Sequence, residues 1–248
     1  MSRIVEGAGV EIAYQERGSG PTVVLVHGVG DCGEGGEAIA APLASRARVV
    51  TYDRRGYGGS GSPQPYGATT VQEQAEDLAA LIEAVGVAPV VLCGFDFGAL
   101  VCLDLSQRHR ELVAGMVLVD PPVFAFVDQA TEALSAQRLA LEQRMRDDGA
   151  SAAVEGHLRD CGYDAVRCER GALAPTAFFA DYAGLATLEI VRRDLRGLDI
   201  ATLILSTTRA APHELAAAQA LAPLFGEAAL EQESDDVVGA VLSLIGSR

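Results

Sequence analysis

The chain has 248 residues, with 34 acidic residues against 19 basic ones and a net charge of −15. This length predicts one globular unit, because no linker rich in Gly, Ser or Pro divides it. Binding to phosphates requires clustered basic residues, so the charge argues against nucleic acid and against an anionic membrane surface. The sequence has no Trp, no Lys and no Asn, which excludes imine chemistry at a lysine and N-glycosylation.

Cysteine usage and hydropathy indicate the compartment. The five cysteines are an odd number and form no C-x-x-C pair, so neither a disulfide framework nor a zinc site is indicated. No apolar run reaches the roughly 18 residues of a membrane span, and no signal-peptide pattern is evident. We expect a cytoplasmic protein, a monomer or homodimer, that needs neither metal nor cofactor.

Short apolar runs alternate with helical patterns along the chain. After an opening hairpin that turns at residues 7–9, further strands are predicted at residues 22–26, 48–52, 90–93, 116–119, 202–205 and 228–230. Helices are predicted at residues 36–45, 71–85, 99–109, 213–224 and 237–245. This alternation predicts an α/β fold with a mostly parallel sheet and helices on both of its faces.

One long stretch departs from this alternation. Residues 122–199 show only helical patterns rich in Arg, Ala, Leu and Glu, between two predicted strands. This position predicts a helical lid subdomain inserted into the core. We therefore expect the core to consist of residues 1–121 and 200–248, and the lid of residues 122–199.

A motif capable of chemistry lies between the strand at 90–93 and the helix that follows. Residues 94–98 read G-F-D-F-G, with a glycine at each end of the turn and Asp96 at its centre. A side chain held at such a turn requires unusual backbone angles and neighbours without side chains. The following helix directs its first N–H groups at the same point. Asp96 is therefore placed to attack carbon or to act as a base.

These features resemble those of the α/β-hydrolase superfamily, in which residues 94–98 would be the nucleophile elbow. His27 and the glycine after it, at a strand end, are similar to the family's oxyanion loop. Residues 53–60 are similar to its D-x-x-G-x-G-x-S loop. The resemblance implies an α/β-hydrolase fold with an inserted helical lid. It also implies an enzyme whose two oxyanion N–H donors belong to Val29 and Phe97.

An Asp at the elbow is similar to epoxide hydrolases and haloalkane dehalogenases. There the Asp forms an alkyl ester, which a His-activated water hydrolyses. The segment where the resemblance implies this His, residues 230–236, contains none. The preceding loop has no carboxylate until Glu214, and Asp120 occupies an alternative position for the acid. We therefore do not expect conventional two-step hydrolysis, and the absence of Trp further disfavours dehalogenation.

The remaining candidates would bind substrate in an apolar pocket, although packing explains the aromatic ones equally well. These residues are His27, Phe95, Phe124, His157, Tyr163 and Tyr182. His157 could replace the missing histidine, and Tyr163 and Tyr182 are comparable to the two lid tyrosines that polarise an epoxide. We expect His213 to be solvated.

Three functions remain open, each acting on a small apolar organic molecule. The first is non-hydrolytic acid–base chemistry by Asp96, in an isomerase, epimerase, cyclase or lyase of natural-product metabolism. The second is epoxide hydrolysis with Asp96 as nucleophile and a substitute base, such as His157 or a carboxylate near Glu233. The third is a non-catalytic ligand-binding protein that has kept the pocket.

Overall fold

A computed structural model describes residues 2–127 and 130–246. Its strands are β1 (Arg3–Glu6), β2 (Glu11–Arg17), β3 (Thr22–Val26), β4 (Arg48–Tyr52), β5 (Val90–Phe95), β6 (Val113–Val119), β7 (Thr202–Ser206) and β8 (Ala228–Gln232). Its helices are α1 (Glu37–Leu43), α2 (Val71–Val85), α3 (Phe97–Arg108), α4 (Ala130–Asp148), α5 (Ala150–Asp160), α6 (Ala165–Leu173), α7 (Pro175–Gly184), α8 (Arg192–Arg196), α9 (Pro212–Leu221) and α10 (Val237–Gly246).

The strands form one sheet in the order β1-β2-β4-β3-β5-β6-β7-β8. The pairs β1/β2 and β2/β4 are antiparallel, and all the others are parallel. The predicted α/β-hydrolase fold, with its mostly parallel sheet and flanking helices, is therefore confirmed. Because the carboxyl ends of parallel strands lie at one edge of a sheet, this order brings the loops after β3, β5, β6 and β7 together.

Burial on both faces explains the continuous apolar strands. In β3, Val23 and Leu25 pack in the cluster that includes α1 and α10. Val24 and Val26 pack in the cluster that includes α2 and α3. Successive side chains of a strand point to opposite faces, so a strand covered on both sides is apolar throughout.

Local signals fix α2 at both ends. Thr70 accepts a hydrogen bond from the Glu73 N–H, while the Glu73 carboxylate accepts one from the Thr70 N–H. Gly86 ends the helix in the left-handed conformation, with φ 64°. These caps account for the agreement between predicted and observed bounds.

Between β6 and β7, the described residues form α4 to α8 and no strand. Helix α5 packs against both α4 and α6. The division at residues 122 and 199 stays a prediction, and we use the term lid for residues 122–199. Within the described ranges, no helix has both the length and the apolar character needed to cross a membrane.

Two helix starts differ from prediction. The helix predicted from residue 36 begins at Glu37, after a 3-10 turn at Gly33–Gly36. Helix α3 begins at Phe97 rather than at residue 99. Its first turn is fully buried, so it shows no alternation of apolar and polar residues that would mark a helix.

Candidate active site

Asp96 lies at the sharp turn between β5 and α3, with φ 51° and ψ −121°. This conformation is unusual for a residue with a side chain and is retained where the surroundings fix it. The Asp96 N–H donates to the Val119 carbonyl at 2.9 Å. A Cβ at Gly98 would overlap the Val26 carbonyl, and one at Gly94 would lie 2.6 Å from the Gly98 carbonyl. The two glycines therefore permit the close approach of β3, β5 and α3.

The Asp96 carboxylate faces one N–H donor and one cation. The Val29 N–H donates to Asp96 Oδ2 at 3.3 Å, and Arg167 Nη2 lies 3.8 Å from the same oxygen. The side chain is 26% exposed. Burial raises the pKa of Asp96, and the positive charge of Arg167 partly opposes this rise.

The two predicted oxyanion donors belong to the oxyanion loop and to the elbow. Val29 supplies the N–H that contacts Asp96, and its carbonyl accepts a hydrogen bond from Arg167 Nη2 at 2.9 Å. Phe97 is the first residue of α3, so its N–H has no partner within the helix. Its buried ring packs against the guanidinium of Arg54, 4.9 Å from the ring centroid.

A cavity of about 60 Å³ covers Asp96 and Val29, and we call it the Asp96 cavity. Four of the predicted substrate-binding residues line it, namely Phe124, His157, Tyr163 and Tyr182. Among the lining residues that sequence reasoning did not place there, three are titratable, namely Cys161, His213 and Glu214. The structure thus brings the elbow and the lid aromatic residues together, as expected.

Glu214 is the main functional candidate that sequence reasoning missed. It lies in the first turn of α9, where its Oε2 accepts the Ala211 N–H at 2.7 Å. Burial, together with the negative charges of Asp96 and Asp120, raises the pKa of Glu214 to about 7. The available signal was its position as the first carboxylate after β7. This carboxyl therefore changes charge near neutral pH, beside Asp96.

The two histidines of the cavity are held among aromatic rings. His157 Nε2 lies 3.7 Å from Cys161 Sγ, and its ring contacts those of Phe178 and Tyr182. The ring of His213 lies 5.5 Å from that of Phe124, so His213, which was expected to be solvated, is half-buried and lines the Asp96 cavity. Burial lowers the pKa of both histidines, which favours their neutral form.

Asp120 is not brought to the Asp96 cavity. Its carboxylate accepts hydrogen bonds from the Thr207 N–H at 2.9 Å, the Thr207 hydroxyl at 2.6 Å and Arg209 Nη2 at 3.3 Å. It is only 6% exposed and does not line the cavity. These hydrogen bonds tie Asp120 to the loop after β7, and its catalytic role stays a prediction.

Besides Phe97, two other predicted site residues also do not line the Asp96 cavity. His27 contacts the Gly28 carbonyl through Nδ1 at 2.9 Å, and its Nε2 accepts the Arg54 N–H at 2.9 Å. This pattern places the proton on Nδ1, so both ring nitrogens are used within the protein. Phe95 packs against the core cluster of α1 and α10 and, with His27, lines a separate crevice.

The lid and the loop after β7 together contribute a stack of charged and aromatic groups beside Asp96. The Tyr163 ring lies between Arg167, 3.6 Å from its centroid, and Arg209, 4.1 Å from it. Arg209 is also the partner of Asp120. Asp120 therefore acts on the cavity indirectly, because it fixes Arg209 against the tyrosine.

The loop after β8 does not supply a base. Glu233 has a φ of 53°, and Asp235 accepts hydrogen bonds from the N–H and the hydroxyl of Thr208. In the part of the chain that the structure describes, no residue of segment 231–236 lines the Asp96 cavity. The structure therefore does not place a carboxylate near Glu233 where a substitute base would act.

Residues 21–155 match the family model of the alpha/beta hydrolase fold. The chain is 37% identical over 113 residues to "Uncharacterized hydrolase YraK" of Bacillus subtilis (strain 168), an alignment that covers 46% of this chain and 42% of that protein. It is 40% identical over 128 residues to "Probable oxidoreductase EphD" of Mycobacterium tuberculosis (strain ATCC 25618 / H37Rv), covering 49% of this chain and 22% of that protein. The chain therefore spans less than half the length of these curated relatives.

The likeness in structure extends over the whole fold. The crystal structure of epoxide hydrolase VrEH1 from Vigna radiata superposes with a TM-score of 0.77 at 18% identity. The superposition covers 100% of this chain and 98% of that one. At this identity the likeness concerns the fold alone.

Proposed function

Because the chain belongs to the alpha/beta hydrolase fold family, we propose that it is an enzyme that uses Asp96 at the nucleophile elbow. We propose acid–base chemistry on a small apolar substrate, of the kind that isomerases, epimerases, cyclases and lyases perform. One observation carries this proposal: Asp96 and Glu214 line the same cavity, and the pKa of each is raised. Paired carboxyls with perturbed pKa values are typical of acid and base roles.

The proposed roles follow from the two environments. Asp96 has a cation nearby and a lower usual pKa, so it is the base that takes a proton from a substrate carbon. Glu214, whose pKa is about 7, is the acid. It gives a proton either to a substrate oxygen or to the opposite face of the substrate carbon that Asp96 deprotonates. One proton enters the enzyme and one leaves it, so no water is consumed.

The N–H groups of Val29 and Phe97 support this assignment. Phe97 belongs to the elbow itself, and the Val29 N–H donates to Asp96 Oδ2 at 3.3 Å. As Asp96 takes up the proton and loses its charge, the Val29 N–H would become available to the substrate oxygen that gains negative charge. Fixed donors of this kind stabilise such charge because they need no reorganisation during the reaction.

A specific observation also favours a second candidate, epoxide hydrolysis. Tyr163 and Tyr182 both line the Asp96 cavity, as the resemblance to epoxide hydrolases implies. An Asp96 oxygen would bond to the epoxide carbon while the carbon–oxygen bond breaks, and a tyrosine would give a proton to the leaving oxygen. Glu214 would then take a proton from the water that hydrolyses the ester.

Proton exchange tests the first proposal. We would incubate a panel of apolar 2-alkylcyclohexanones in deuterated water and follow loss of the proton at the substituted carbon by NMR. The wild type should accelerate exchange, and Asp96→Asn should lower the rate by at least about a hundredfold, since a positioned base contributes on that order. Equal rates in the two proteins, or no acceleration by either, would contradict the proposal.

Heavy-oxygen water distinguishes the two candidates. We would treat the enzyme with styrene oxide in water enriched in oxygen-18 and then digest the protein. Mass spectrometry would give the mass of the peptide that contains Asp96. Acid–base chemistry predicts no diol and no label in this peptide. Label in the Asp96 carboxylate together with diol formation would establish the ester route instead.

A further inference from the structure

A second, larger cavity adjoins the Asp96 cavity. It has a volume of about 430 Å³, and we call it the apolar chamber. Segments 122–125 and 185–190 form two of its walls, and Leu134 of α4 contributes to a third. Both cavities are lined by Phe124, Leu134, Tyr182 and Leu185. The two spaces are therefore neighbouring compartments with a shared wall.

Polar and apolar groups are segregated between the compartments. Asp96, Glu214 and His157 line the Asp96 cavity. The chamber is lined mainly by aliphatic and aromatic side chains, and Arg138 is its one charged residue among those that the structure describes. Arg138 is 71% exposed and is paired with Glu142 at 2.7 Å, so its charge lies in solvent and is already compensated. The chamber thus offers an apolar surface without a charged partner for a ligand.

The volumes determine where the body of a substrate can lie. At about 60 Å³, the Asp96 cavity has room for little more than a reacting group. The chamber, at about 430 Å³, is within the usual size range of small-molecule sites, roughly 300–1,000 Å³. A more polar cavity of about 330 Å³ also adjoins the Asp96 cavity, at His157 and Glu214. For the apolar body of a substrate, the larger and more apolar space lies past Phe124 and Tyr182.

We propose that the apolar chamber binds the body of an elongated apolar substrate whose single polar end reaches Asp96 and Glu214. This inference rests on the proposed function for the role of the polar end. The chamber selects by burial, since each additional buried methylene improves affinity by about fourfold. A charged body is rejected, because an unpaired charge loses its hydration there without compensation.

Binding of alkan-1-ols tests the chamber without any need for turnover. We would measure the dissociation constants of hexan-1-ol through dodecan-1-ol for the wild type by calorimetry. Affinity should rise by about fourfold per methylene until the chamber is full, and then level off. The heat capacity change should be negative, which is the signature of apolar burial. Affinity that does not depend on chain length would overturn the proposal.

A pair of variants locates the site. Ala186 is exposed and lines the chamber, whereas Ala183 is exposed on α7 and does not line it. Ala186→Trp should weaken the binding of decan-1-ol by about tenfold, which corresponds to the loss of roughly two methylene contacts. Ala183→Trp should bind like the wild type. Equal affinities in both variants would show that the alcohols bind elsewhere and would overturn the proposal.

Asp96→Asn separates this inference from the proposed function. The variant should keep the chain-length dependence of the wild type, because the chamber does not include Asp96. A lost dependence in Asp96→Asn would contradict the separation of the two compartments. If the alcohols bind as expected while the proton-exchange assay fails, the chamber stands and the acid–base function falls. If the alcohols do not bind as expected while the proton-exchange assay succeeds, the chamber proposal falls and the acid–base function stands.

Discussion

Arg167 links the oxyanion loop to the elbow residue. It donates to the Val29 carbonyl at 2.9 Å and lies 3.8 Å from the Asp96 carboxylate. A Cβ at Gly28 would lie 2.8 Å from Arg167 Nη2 and 3.0 Å from Asp96 Cβ. A side chain at position 28 would therefore displace the end of Arg167 and press against Asp96.

Removal of this cation should make Asp96 harder to ionise. In Arg167→Met we expect the pKa of Asp96 to rise further, since a cation at this distance favours the carboxylate. NMR titration of protein labelled with carbon-13 aspartate measures it directly. Arg170→Met is the control, because Arg170 lies on the same helix and pairs with Asp31 at 2.7 Å. An Asp96 pKa unmoved by Arg167→Met would rule out this electrostatic link.

Glu214 should also make stability depend on pH. Its pKa is raised from the usual 4.5 to about 7, so the folded state binds more protons than the unfolded state between these values. The free energy of unfolding should therefore fall as pH rises through this range, by at most about 3 kcal/mol from this group. In Glu214→Gln this part of the fall should disappear. We would measure the free energy of unfolding in urea against pH for both proteins. Parallel curves would show that folding does not raise the pKa of Glu214.

At the scale of elements, the turn between β5 and α3 is specified by tight packing. Gly98→Ala would force a Cβ into the Val26 carbonyl, and a backbone atom of a central strand cannot move aside. We expect a loss of about 3 kcal/mol in urea unfolding, typical of severe overpacking. Gly67→Ala is the matched control, with nothing within 4 Å of its added Cβ, and should change stability by less than about 0.5 kcal/mol. Equal losses would contradict the packing argument.

The strands and the elbow could be predicted because their signals are local. Residues 22–26 and 48–52 are runs rich in β-branched residues, and both form strands with these bounds. Asp96 was found because glycines at fixed spacing flank it between a strand and a helix. In these cases the residues within one short segment were sufficient to predict the structure.

Glu214 could not be predicted in the same way. Its sequence context is an ordinary one, an acid in the first turn of a helix. Its raised pKa depends on burial and on Asp96 and Asp120, which lie about a hundred residues away in the chain. Asp120 shows the converse case, since its suggestive position at a strand end is fully occupied by Thr207 and Arg209. Neither arrangement is encoded in neighbouring residues.

At the scale of the whole molecule, a buried ion pair joins the lid to the core. Arg54, in the loop after β4, pairs with Asp181 of α7 at 2.6 Å, and both side chains are at most 1% exposed. Gln74 and Tyr57 also donate to the Asp181 carboxylate, at 2.7 and 2.8 Å. The lid is therefore fixed to the core at this point, and opening of the Asp96 cavity has to occur elsewhere in the lid.

Loss of one partner of the buried ion pair should lower the free energy of unfolding substantially. Asp181→Ala leaves the Arg54 charge buried without its carboxylate, and we expect about 3–5 kcal/mol less stability in urea unfolding. Glu142→Ala, which breaks the exposed pair with Arg138, is the control and should cost less than about 1 kcal/mol. A comparable small loss for both variants would mean that the lid does not depend on this pair.

The coupling of Glu214 to Asp96 is the central claim, and NMR titration of protein labelled with carbon-13 glutamate tests it most directly. The resonance that disappears in Glu214→Gln identifies the group. We predict that it titrates at about 7 in the wild type, and that Asp96→Asn lowers this pKa by about one unit because a neighbouring negative charge is removed. A Glu214 that titrates near 4.5, or whose pKa does not respond to Asp96→Asn, would contradict the account.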